Sequence, residues 1–142
     1  MNRRQIRNAL KEARTVLEVY SSRQGKHFRR DDLNCMCGIS SYVLFLFFKA
    51  LGERPVFCMN DNHCFLRVGE YWVDLTLTQF NSKCPSVWFR KRPYTKDDGY
   101  GNVHRASETG RTLKKIRRMF RGWPHDQNPF KCKGLPYIQV TA

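Results

Sequence analysis

Apolar residues near the N-terminus fall at Ile6, Leu10, Ala13, Leu17 and Tyr20, spacings of 4, 3, 4 and 3 that trace one face of an α-helix. Arg3, Arg7, Lys11 and Arg14 take the rest of the wheel, so the pattern predicts an amphipathic helix with a basic outer face. Near the other end Leu113, Ile116, Phe120 and Trp123 repeat the period among Lys114, Lys115, Arg117, Arg118 and Arg121, with Gly122 and Pro124 as the stop. A second basic helix is expected there. Between them, Tyr42 to Phe48 is apolar on every face, which predicts a buried central helix. It should begin near Cys35 to Cys37, capped by Asn34, and run through Leu51 with Gly52 at C′.

After this helix the pattern changes to short runs rich in aromatic and β-branched residues. Pro55–Met59, His63–Val68 and Tyr71–Leu77 read as strands, the last two joined by Gly69-Glu70. Glycine at the first central position of a two-residue loop favours a type II′ hairpin. Closing that hairpin on Val68 opposite Tyr71 sets Phe65 opposite Asp74 and His63 opposite Thr76. One face then collects Leu66, Val68, Tyr71, Val73 and Leu75 as the core side. His63 and Asp74 share the other, more polar face as diagonal neighbours, with Cβ atoms about 7–8 Å apart or less. These elements predict an α+β fold in which the central apolar helix packs on a small antiparallel sheet and the basic helices lie outside.

The 142 residues and 41% hydrophobic content suit one domain and exclude a disordered or collagen-like chain. Charge divides it. The net is +7 over residues 1–30, −3 over 31–80 and +10 over 81–142. We therefore read a basic N-terminal helix (1–30), a catalytic core (34–80) and a basic C-terminal part completing the domain (81–142). The apolar run at 42–48 is far shorter than the roughly 20 residues of a transmembrane helix, and the basic N-terminus lacks the apolar stretch of a signal peptide. The expected location is the cytoplasm, where the six cysteines would be reduced thiols.

Cys37 stands at the expected N-terminus of the buried helix, where unpaired backbone N–H groups and the helix dipole lower a thiol pKa and can hold an oxyanion. With His63 as base and Asp74 as its orienting partner, the chain holds a Cys-His-Asp triad in chain order.

Cys37-Gly38-Ile39-Ser40-Ser41 with Leu44 and Gly52, then His63, Leu66-Arg67-Val68-Gly69-Glu70-Tyr71-Trp72-Val73-Asp74, Thr76, Gln79 and Phe80, resembles the small bacterial and phage transglutaminase-like cysteine peptidases. In that group a helix-capping Cys is followed four residues on by Ser, a His opens a strand, and the next strand ends in Asp-x-Thr-x-x-Gln-Phe. The likeness covers roughly residues 34–80. It implies a papain-like α+β core, Cys37 as nucleophile, His63 as general base and acid, Asp74 as orienter, and the Cys37 N–H as one oxyanion donor. Asn34 or Gln79 would supply the second. The chain departs from the pattern in having Cys64 after the His, Met36 before the nucleophile, and a competing thiol at Cys35.

The expected activity is thiol-dependent acyl transfer on a peptide or isopeptide amide, by hydrolysis, deamidation or transglutamination, with no cofactor and no metal. A zinc site from Cys35, Cys37, His63 and Cys64 is disfavoured by spacing, since adjacent strand residues point to opposite faces. Cys58, Cys84 and Cys132 read as packing residues, and His27, His104 and His125 as solvated. The rival reading is a non-enzymatic basic module in which Arg3, Arg7, Lys11, Arg14, Lys114, Lys115, Arg117, Arg118 and Arg121 bind nucleic acid or an acidic protein. The Trp88–Tyr94 run is either a single-strand stacking platform or an amphipathic edge strand. Membrane-surface binding by the N-terminal helix is less favoured, because its apolar face lacks Trp and Phe.

Overall fold

The computed structural model of the chain describes residues 1–24, 33, 35–60, 63–80, 83–95 and 105–138. Helix α1 spans Arg3–Arg23 and opens with a reciprocal capping box, Asn2 accepting from the Gln5 N–H while the Gln5 side chain accepts from the Asn2 N–H. The apolar stripe of Ile6, Leu10, Ala13, Leu17 and Tyr20 is buried as the spacing predicts. Arg14 is a correction: expected on the basic outer face, it is buried, paired with Glu18 at 2.9 Å and donating to the Leu75 carbonyl. The loop after the third strand leaves that carbonyl facing the helix, and a guanidinium is long enough to satisfy it.

Helix α2 runs Cys37–Ala50 and is the core of the molecule, with Ile39, Phe45 and Phe48 fully enclosed. Its end follows the sequence pattern, Gly52 sitting just beyond Leu51 at φ 82. Its start does not. The cap residue is Met36, which makes no side-chain capping hydrogen bond, and Asn34 lies outside the described residues. The chain enters through Leu33 at φ 51 and Cys35 at φ 61, left-handed conformations that non-glycine residues seldom adopt. This lead-in leaves the first N–H groups of α2 without a side-chain cap.

Strands β1 (Val56–Met59), β2 (Cys64–Val68), β3 (Tyr71–Asp74), β4 (Trp88–Arg90) and β5 (Ser107–Gly110) form an antiparallel sheet ordered β4-β3-β2-β1-β5. The β2–β3 register is the expected one, with Leu66 opposite Val73 and Val68 opposite Tyr71, and Gly69 turns at φ 57. The architecture is α+β. Residues Trp88–Arg90 form an edge strand with Trp88 and Phe89 buried, which removes the stacking-platform reading of that run. Strand β5 carries Ser-Glu-Thr-Gly and is held by pairing with β1 rather than by its own pattern. Helix α3, Leu113–Met119, is shorter than the expected run to Trp123, because the chain turns at Phe120 and passes Gly122 at φ 86.

Both faces of the sheet are covered. Leu66, Val68, Val73 and Phe89 meet α1 and α2 in the main core. The face expected to be polar is roofed by Phe65, Trp88, Tyr94 and Leu77 in a second cluster. Among the described residues no helix is long and apolar enough to cross a membrane.

The first turn of α2 is seated tightly on the C-terminal part of the chain. A Cβ at Gly38 would lie 2.8 Å from both the Gln127 carbonyl oxygen and the Phe120 ring. Gly38→Ala is therefore expected to cost about 1–3 kcal/mol, read as a lower urea midpoint at unchanged slope.

Candidate functional site

The hairpin register delivers His63, just ahead of β2, and Asp74, the last residue of β3, to the same end of the sheet. The backbone at His63 is fixed by a reciprocal turn, its N–H donating to Asn60 Oδ1 at 2.9 Å and its carbonyl accepting from the Asn60 N–H at 3.0 Å. His63 Nε2 lies 2.5 Å from Asp74 Oδ2, with both side chains about 1% exposed. The carboxylate has further donors. Tyr94 Oη donates to Oδ2 at 2.7 Å, while the Thr76 N–H and Oγ1 donate to Oδ1 at 2.7 and 3.1 Å.

The Cys37 thiol, on the first residue of α2 and 4% exposed, lies close enough to the imidazole for each to shift the titration of the other. A hydrogen bond from the neighbouring Cys64 thiol, opposed by burial and assisted by the hydrogen bond and charge of His63, holds the Cys37 thiol well below the ordinary value of 9.0. Cys64 moves the other way. Burial and its hydrogen bond to Cys37 push its thiol well up, so it keeps the proton that it donates. Burial works against a charged His63, yet the charge and hydrogen bond of Asp74, joined by those of Cys37, outweigh it and raise its pKa to about 10. The three groups together favour a thiolate–imidazolium pair beside a buried carboxylate.

Gln79 makes the site more than a triad. It sits on the 3-10 turn Leu77–Gln79, where its Oε1 accepts from the Cys35 N–H at 3.2 Å and its Nε2 lies 3.3 Å from His63 Nδ1. With Oε1 committed to Cys35, the amide NH₂ can donate only to an Nδ1 that carries no proton. An imidazolium carries a proton on Nδ1 and has to shed this contact, so the Gln79 amide faces Nδ1 only while the ring is neutral. Phe80, 44% exposed, stands edge-on to the imidazole with centroids 5.0 Å apart and forms the outer wall.

The structure thus brings Cys37, His63, Asp74 and Gln79 together. Asn34 cannot be placed, since it lies outside the described residues, as do His27 and His104. Cys35 contributes its backbone N–H to Gln79. Cys58 is buried, and burial with the charge of Glu108 pushes its thiol up to about 12, as suits a packing residue. Of the basic residues, Arg3, Arg7, Lys11, Lys114, Lys115, Arg117, Arg118 and Arg121 are exposed, and Arg14 is not. Among the described residues no group of three or more His, Cys, Asp and Glu side chains is placed to hold a metal ion.

Two participants escaped the sequence reading. Tyr94, stacked on Trp88 at 4.0 Å, reaches Asp74 from beyond β4, and no spacing rule ties it to that residue. Cys64 has the strand position that points away from His63, as alternation predicts, and what the spacing does not reveal is its interaction with Cys37. Ser41, one turn along α2 from Cys37, donates to the Cys64 carbonyl at 3.1 Å and locks this strand to the helix. Removing the Tyr94 hydroxyl while keeping its ring, Tyr94→Phe, leaves a buried carboxylate one donor short. The expected cost is about 1.5–3 kcal/mol by urea denaturation.

In comparisons with known proteins, no family model, no curated protein and no solved structure matches the chain.

Proposed function

We propose that this chain is a thiol-dependent acyl-transfer enzyme with a papain- or transglutaminase-like core, cleaving or rearranging peptide or isopeptide amides. The observation that carries the reading is His63 bonded through Nε2 to the buried Asp74, with the Cys37 thiol beside the imidazole at the head of a buried helix. Asp74 holds the ring orientation and stabilises its positive charge. The Cys37 thiolate attacks the amide carbonyl to give a tetrahedral oxyanion, and His63 Nδ1–H passes its proton to the leaving amine as the C–N bond breaks. This leaves a thioester on Cys37 and a neutral imidazole. Water, deprotonated by Nδ1, then attacks the thioester. The thiolate leaves and the ion pair is restored. An amine in place of water gives transamidation.

The uncapped N–H groups opening α2 suit the oxyanion, beginning with that of Cys37. Gln79 acts with them. Once the imidazolium forms and sheds its amide, Gln79 Nε2 becomes a donor free to turn toward the oxyanion, while its Oε1 bond to Cys35 holds the side chain in place.

Iodoacetamide labelling with peptide mapping between pH 5 and 9 tests the nucleophile. Cys37 should react at a rate that persists below pH 7 and falls only as pH drops through its lowered pKa, while Cys58, near 12, stays slow throughout. His63→Ala should abolish that plateau and move the rise toward the ordinary thiol value of 9.0. A Cys37 no faster than Cys58, with no effect of His63→Ala, would sink the enzyme reading.

Gln79→Ala separates its two roles. Alkylation, which forms no oxyanion, should proceed at the wild-type rate or faster. Thioester formation on an activated acyl donor, followed by intact mass, should slow by about 10²–10³.

A further inference from the structure

We infer that the cleft between α3 and residues 128–131 is a binding site for the phosphodiester backbone of nucleic acid, separate from the Cys37 site. The cleft encloses about 430 Å³ and is lined by Lys114, Arg117, Arg118, Arg121 and Lys131 with no carboxylate among its walls. All five cations are exposed, and among the described residues none of them shares an ion pair. Elsewhere the surface behaves differently, Arg67 pairing with Glu108 and Lys91 with Glu70. Among the described residues the positive charge of the cleft is therefore not met by an ion pair, and concave low-dielectric walls concentrate its potential.

The walls are built rather than loose. Asn128, 4% exposed, donates from Nδ2 to the Phe120 carbonyl at 2.9 Å and accepts the Phe130 N–H at 3.0 Å. Phe130 packs against Tyr42 of α2 with centroids 4.8 Å apart, and Arg117 lies 5.0 Å over its ring. The cations are thereby presented by a base anchored to the central helix.

A phosphodiester strand is the occupant that the charge favours. Three of the five lining cations are arginines, whose planar fork matches phosphate oxygens. The chain carries +14 overall, and Arg3, Arg7 and Lys11 add an exposed stripe on α1 rising about 12 Å over two turns. A polyanion with a charge on every repeat satisfies such a surface at any register, whereas an acidic peptide must match its carboxylates to it. Contacts from lysine and arginine to phosphate carry no sequence information, so binding is expected to be independent of sequence.

The test is fluorescence anisotropy of labelled single- and double-stranded DNA 20-mers at 50–300 mM salt, with the full chain. The variant Arg117→Glu/Arg121→Glu/Lys131→Glu is expected to bind at least 10-fold more weakly and to lose about 2–3 units of the log–log salt slope. Cys37→Ala should bind as the wild type does, which keeps this site independent of the enzyme reading. If charge reversal disturbs folding by circular dichroism, the glutamine triple variant decides in its place. Wild-type affinity in the folded triple variant overturns the proposal, as does loss of binding only on Arg3→Glu/Arg7→Glu. Competition by poly-glutamate equal to that by DNA at matched charge overturns it in favour of an acidic protein.

Discussion

A carboxylate at 2% exposure is tolerable only when its charge is met on all sides, and the placement of Asp74 follows from that constraint. Its oxygens take the His63 ring, the Tyr94 hydroxyl and two groups of Thr76. Each donor fixes a piece of chain. His63 fixes the entry to β2, Thr76 the turn after β3, and Tyr94 the segment beyond β4, which closes the aromatic roof over the sheet. The same charge lifts the His63 pKa, and His63 helps hold the Cys37 thiol down. Desolvation that would neutralise an isolated group here strengthens the attraction between opposite ones.

The dry site and the basic surface lie in different dielectric surroundings and answer to different conditions. Cys37, His63 and Asp74 interact at close range inside the protein, where salt screens weakly. The cations of α1, of α3 and of Lys131 are exposed, so their reach shrinks to about 8–10 Å at physiological ionic strength. Arg14 shows the boundary between the two. On the wheel it belongs with the basic stripe, yet its guanidinium is drawn inward by the Leu75 carbonyl and by Glu18.

The parts of the fold legible in the sequence were those in which local periodicity and burial coincide. Ile6 to Tyr20 announced α1, and Gly69 with the alternation around it fixed the β2–β3 register. Strand β5 was not legible, since Ser-Glu-Thr-Gly has no strand pattern and pairs only because β1 offers an open edge. Nor was the cap of α2, where the chain enters through the left-handed residues Leu33 and Cys35 and Met36 takes the cap position.

For the candidate site, the sequence by itself determined the pairing of His63 with Asp74, because a two-residue turn and period-2 alternation suffice to put both on one face. It also set Cys37 at the head of a helix, through the apolar run that follows. Only the tertiary structure decided that this face is dry, that Tyr94 completes the carboxylate's hydrogen bonds, that Cys64 acts on Cys37, and that Gln79 reaches the histidine ring. Those contacts join residues far apart in the chain. Their geometry depends on how helix, sheet and loops pack together, and short-range periodicity carries no record of that.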